Sequence, residues 1–194
     1  MMYLVKDLEE VLDGYERKFP DEKDMVNRYF ELMDSCREGV FSRKNLPGHI
    51  TTSAFVMGED GRLALIYHNF LQKYLQPGGH VEHDMSLLES AKREVREEIG
   101  FADLEVMLDG VPIDLDIHDI PANDGKGEPA HQHFDVLFLF KTNEIEPSLQ
   151  LEEVSEMRWM EKGEVAKLAE RFQRIIDKID KNYPESSKDI SVEF

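Results

Sequence analysis

The sequence predicts an α+β fold: a sheet interrupted by one internal helix, closed by a second helix and preceded by a helical extension. Three observations predict it. Apolar residues recur at helical spacing through about residue 38, alternate or run together in short segments between residues 51 and 160, and return to helical spacing near residues 87–99 and 162–181. With 194 residues, 41% of them hydrophobic, the chain can fill one compact domain with its own core and still carry a small extension. The predicted boundaries are 1–44 for the N-terminal helical extension, 45–182 for the main domain and 183–194 for a tail whose serines and charges predict disorder.

Leu4, Leu8, Val11 and Leu12 make a first helical stripe, and Met25, Tyr29, Leu32, Met33 and Cys36 a second, with a break at Phe19-Pro20-Asp21. Asn45-Leu46-Pro47-Gly48 ends the helical period. Thr51 to Met57 and Arg62 to Tyr67, joined through Glu59-Asp60-Gly61, read as a β-hairpin. Pro77-Gly78-Gly79 reads as a turn into the next helix, with Ser86 or Asp84 as its N-cap and Gly100 as its C-cap. Strands are predicted at Leu104 to Leu108, along the alternation Ile113, Leu115, Ile117, at Phe134 to Lys141 as a central strand, and at Met157 to Met160. Asn123 to Pro129 is a loop, and a last helix runs from about Lys162 to Lys181 with Val165, Leu168, Phe172, Ile175, Ile176 and Ile179 inward.

Forty-one acids against 23 bases give a formal charge of −18, which opposes non-specific binding to nucleic acid or to an anionic membrane. A polyanionic small molecule must then meet a local positive patch or bound cations. Cys36, the one cysteine, rules out an intramolecular disulfide framework and reads as a packed thiol in a reducing, cytoplasmic compartment. No apolar run approaches the roughly 18 residues of a membrane span, and no basic recognition helix for DNA is apparent.

The chemistry concentrates in residues 78–101. At about 100° per residue, Glu94, Glu97 and Glu98 fall within an arc of about 100° beside the inward stripe of Leu88, Ala91, Val95 and Ile99. Crowding acids near a helix C-terminus is unfavourable by a few tenths of a kcal/mol per pair, about 0.2–0.5. Arg93 offsets part of this, and a hard divalent cation with oxygen ligands accounts for all three acids. Mg²⁺ suits such a site, with Mn²⁺ as an alternative ion.

The same stretch resembles the Nudix box, G-x5-E-x7-R-E-U-x-E-E-x-G-U, where U is aliphatic or aromatic. Gly79, Arg93, Glu94, Val95, Glu97, Glu98, Gly100 and Phe101 match at the required spacing, and Met85 stands where the pattern has its first Glu. At roughly 7% per fixed residue, a chance match in this chain is on the order of one in a million. The resemblance implies an α/β/α sandwich with a mixed sheet over roughly residues 48–180. It also implies a metal-dependent hydrolase that cleaves a diphosphate linkage, with a nucleoside diphosphate joined to another moiety as the expected substrate. Glu94, Glu97 and Glu98 are the implied ligands, Arg93 orients the acids, and the Gly79 carbonyl is a further ligand. Met85, remote in sequence from the three acids, is expected to matter little.

Outside the box, Glu153 is the choice for a fourth acid, as ligand or base, over Glu152 and Glu156. His131 and His133 share one face of the strand that holds Phe134 and are read, with His49, as substrate-binding residues. Phosphate binding, transition-metal ligation and a purely structural role all stay open for them and for His80. Two rivals are weaker. An isomerase on this fold is expected to carry a cysteine in the sheet, and a non-catalytic ligand sensor is expected to have lost box acids. Residues 116 to 119 hold no Tyr or Pro that would point to dinucleoside polyphosphate or ADP-ribose specialists. Oligomeric state stays open, a homodimer included.

Overall fold

The structure, a computed structural model of the chain, describes residues 2–46, 48–82, 85–122, 127, 129–152 and 154–184. The tail, most of the 123–129 loop, Asp84 and Glu153 lie outside the described residues.

The extension forms α1 (Met2–Lys18) and α2 (Lys23–Cys36), separated by a 3₁₀ turn at Pro20–Glu22. Proline at the first position of that turn lacks the N–H a continuing helix would need, so the chain turns there. Leu4, Leu8, Leu12, Val26 and Tyr29 are fully buried in the same core as the sheet.

Eight strands form one mixed sheet. β1 (Gly48–Gly58) pairs in parallel with β7 (His131–Thr142) from Gly48 opposite Gln132 to Gly58 opposite Thr142, and this pair is the centre of the molecule. β5 (Glu105–Val106) and β6 (Asp114–Ile120) run antiparallel along the other edge of β7. β2 (Leu63–His68) follows β1 as the predicted hairpin and pairs with β8 (Val154–Met160). The hairpin opens beyond Val56. In the split, β3 (Lys73–Leu75) pairs with β2, and β4 (Gly78–His80) pairs with β1 at Ser53 to Thr51.

Helices cover both faces. Val136, Phe138 and Phe140 of β7 point toward the extension and α3 (Leu87–Ile99), whereas Leu137 and Leu139 point the other way, onto α5 (Glu170–Asn182). A central strand buried on both sides explains the continuous apolar run at 136–140. Among the described residues, no helix is long and apolar enough to cross a membrane.

Four local expectations need correction. Gly78 and Gly79 are strand residues, because β1 offers them an edge to pair with. The predicted 104–108 strand shrinks to Glu105–Val106, since Leu108 and Asp109 take positive φ in a 3₁₀ turn. The last helix is two: α4 (Lys162–Val165), held by a capping box between Glu161 and Glu164, and α5, with extended Ala169 between them. Leu168, expected inward, is 43% exposed because it lies in that break.

A buried ionic network joins the layers. Asp114 of β6 is 0% exposed and accepts from Arg171 Nε at 2.9 Å, Arg174 Nη2 at 3.2 Å and Lys178 Nζ at 2.9 Å, all from α5. Lys178 also reaches Glu22 at 2.7 Å and the Tyr15 hydroxyl at 2.8 Å, tying the extension to the far helix. Removing one member strands the others in low dielectric, so Asp114→Ala is expected to lower unfolding free energy by about 3–5 kcal/mol. Denaturant unfolding at neutral pH measures it, and a loss under about 1 kcal/mol would show that the cations find water or new partners.

Candidate active site

The box helix α3 is anchored at both ends. Ser86 Oγ accepts from the Glu89 N–H at 3.2 Å, and Asp7 of α1 accepts from the Leu87 N–H at 2.7 Å. The extension therefore satisfies a first-turn donor of this helix. Gly100 ends it at φ +82°, the left-handed conformation glycine adopts without Cβ strain.

The three acids are held by different contacts. Glu98 is 4% exposed and accepts from the Gly78 N–H at 3.0 Å. Glu94 accepts from Arg93 Nη2 at 2.6 Å, and Glu97, half exposed, from Arg93 Nη1 at 2.5 Å. Arg93 Nη2 also donates to the His80 carbonyl at 2.9 Å, so one guanidinium spans two acids and β4. Gly79 lies against Glu94: a Cβ there would come within 2.6 Å of Glu94 Cδ and 2.8 Å of Oε2, besides meeting Oε1. Two carboxylates paired by one guanidinium and a third held by the Gly78 N–H, with Gly79 packed against Glu94, are oxygen donors of the kind a hard divalent cation takes.

Met85 borders Arg93 across a surface hollow. With Tyr3, Ser86 and Glu89 it lines a hollow of about 440 Å³ that also exposes Arg93 and Arg96. Of the acids near residue 153, Glu156 is engaged by the Tyr74 hydroxyl at 2.7 Å and by Arg158 Nε at 2.5 Å. Glu153 itself lies outside the described residues.

The histidines meet at the start of β1 and β7. His49 is buried, and its ring centroid lies 5.0 Å from that of His131 and 4.9 Å from that of His133. His80 joins them, its Nε2 3.0 Å from that of His49, and His118 stacks edge-on at 5.6 Å from His133. Burial, with Arg43 and the neighbouring rings behind it, lowers the His80 pKa to about 3, and burial with the rings of His49, His80, His118 and His131 lowers that of His133 to about 2. Both rings are neutral at pH 7. The i, i+2 spacing of His131 and His133 was visible in the sequence. That His49, His80 and His118 join them follows from strand register, which no local pattern encodes.

A family model described as the NUDIX domain matches residues 47–180. A "Probable DHNTP pyrophosphohydrolase" of Lactococcus lactis subsp. cremoris (strain MG1363) is 33% identical over 129 residues, spanning 66% of this chain and 75% of that protein. Among solved structures, the MutT protein from Methanosarcina mazei Go1 matches with a TM-score of 0.53 at 20% identity, over 70% of this chain and 94% of its own. The E. coli dihydroneopterin triphosphate pyrophosphohydrolase matches with a TM-score of 0.51 at 14% identity, over 66% and 92% respectively. At these identities the structural likeness establishes the fold.

The contact between Gly79 and Glu94 generates a direct test. Gly79→Ala is expected to displace the Glu94 carboxylate and weaken Mn²⁺ binding about 10- to 100-fold while far-UV circular dichroism is unchanged. Free Mn²⁺ counted by electron paramagnetic resonance reads this. An unchanged affinity would remove Glu94 from the metal site.

Proposed function

The chain belongs to the Nudix family, and we propose that it is a pyrophosphohydrolase whose divalent cation is held by Glu94, Glu97, Glu98 and the Gly79 carbonyl. One observation carries this reading. Arg93 holds Glu94 and Glu97 while the Gly78 N–H holds Glu98, so all three box acids are fixed on the side of one helix that meets β4, where like charges at i, i+3 and i, i+4 cost free energy without a cation.

Bound there, Mg²⁺ or Mn²⁺ would neutralise phosphate oxygens and lower the pKa of a bound water. The chain's own groups supply position. Arg93 holds Glu94 and Glu97 at fixed separation from β4, and the Gly78 N–H fixes the Glu98 carboxylate. A formal charge of −18 repels a phosphate chain, so attraction must be local to this cation site. His49, His131 and His133 enter the proposal beside the substrate. An imidazole gives a phosphate oxygen one hydrogen bond, where an arginine would give a bidentate pair.

For substrate, the proposal is a diphosphate linkage attached to a nucleoside-like heterocycle. The names of two relatives place dihydroneopterin triphosphate, which carries such a linkage, on the panel with nucleoside di- and triphosphate derivatives. Turnover is expected to require Mg²⁺ or Mn²⁺ and to stop on chelation. Glu97→Gln and Glu98→Gln are each expected to lower kcat at least about a hundredfold. In Glu98→Gln the amide oxygen can still accept from Gly78, so thermal stability without metal should hold or rise. Steady-state kinetics and thermal melts on both variants decide it: near-normal kcat in both would sink the ligand assignment.

A further inference from the structure

The carboxylate site leaves a second donor cluster unused. Five of the chain's seven histidines gather at one end of the sheet, and among the described residues His49, His131 and His133 offer ligand atoms that all lie within 4.8 Å of one another. The backbone enforces the grouping. Parallel pairing sets His49 opposite His133, and the two-residue strand repeat puts His131 on the same face.

Three features mark this as a metal site. First, spacing: nitrogens bound tetrahedrally to zinc at about 2.0–2.1 Å lie about 3.3 Å apart, and the Nε2 atoms of His131 and His133 are 3.2 Å apart. Second, tautomer: His131 Nδ1 lies 2.8 Å from the Pro129 carbonyl oxygen, which only accepts, so Nδ1 carries the proton and Nε2 turns its lone pair toward His133. A metal-ligating imidazole is oriented by this kind of contact. Third, donor type: the nearby carboxylate of Asp116 is committed to His118 at 2.8 Å and Arg171 at 3.0 Å, leaving a nitrogen-only set that selects a borderline transition ion over Mg²⁺.

We infer that His49, His131 and His133 form a three-histidine site for a divalent transition ion of the zinc class, with its remaining position open to water or a phosphate oxygen. The site shares no ligand with the carboxylate helix, so it stands whether or not that helix performs the hydrolysis. It borders that helix through β4, where His80 touches His49 with its ring and Arg93 with its carbonyl.

The test is a Co²⁺ titration of the full chain, without substrate and with Mg²⁺ in large excess to fill the oxygen-donor site. The expected result is uptake of one equivalent with the visible absorption of four-coordinate Co²⁺, reversed by Zn²⁺. His131→Ala and His133→Ala should each weaken that uptake at least about a hundredfold. Glu97→Gln should leave it unchanged. Long-range ¹H–¹⁵N spectra of the unaltered protein give a readout that no folding defect can blur: Zn²⁺ should shift the imidazole nitrogens of His49, His131 and His133 together. Absence of stoichiometric uptake in excess Mg²⁺ would overturn the inference. So would loss of uptake in Glu97→Gln, or imidazole nitrogens that Zn²⁺ leaves in place.

Discussion

Burying the Asp114 carboxylate completely obliges the chain to bring cations to it, and most of the architecture follows from where those cations come from. Arg171, Arg174 and Lys178 all lie on α5, so that helix must lie against β6 with one face and register. Lys178 passes the constraint on to the extension through Glu22 and Tyr15. Arg171 passes it to Asp116 and Asp135, and Asp135 accepts from Thr51 at 3.1 Å and Ser53 at 2.6 Å. Thr51 and Ser53 are two of the three residues of β1 on which β4 pairs. The position of the glycine strand against the box helix is thus continuous, through polar contacts, with the buried ions on the far side of the sheet.

Such a network is specific more than it is stabilising, since an apolar replacement of similar volume can be as stable. Its value here is that a half-assembled form leaves charges in the core. The helical extension contributes both a core stripe and two members of the network, and it caps α3 through Asp7. Its three kinds of contact bear on the same helix and sheet that carry the acids.

The parts of the molecule that the sequence displayed are those governed by short-range periodicity. The stripe and acids of α3, its Ser86 and Gly100 ends, the hairpin at residues 59–61 and the doubly buried β7 all follow from spacing within about a dozen residues. Where partners distant in sequence decide, spacing misleads. Gly78-Gly79 has the composition of a turn and becomes a strand because β1 has an unpaired edge beside the opened hairpin. The period through Val165, Leu168 and Phe172 looks unbroken, yet α4 closes on its own capping box and Leu168 turns outward. Met85 is nine residues from Glu94 in sequence but lines one hollow with Arg93. The histidine group is the extreme case, drawn from four strands whose order no single segment reveals.

Gly78-Gly79-His80 shows how tightly the two donor clusters constrain the strand between them. A Cβ at position 78 would lie 2.5 Å from Ser53 Cβ and 2.8 Å from the Thr52 carbonyl oxygen, and one at 79 would enter the Glu94 carboxylate. Neither can carry a side chain without moving β1 or the acid. His80 is the first residue of the strand with room for one, and its ring goes to His49 while its backbone goes to Arg93. β4 therefore contributes backbone to the oxygen donors and a side chain to the nitrogen donors within three residues. The hard site and the borderline one proposed here can lie so close because the strand between them has no side chains of its own on the carboxylate side.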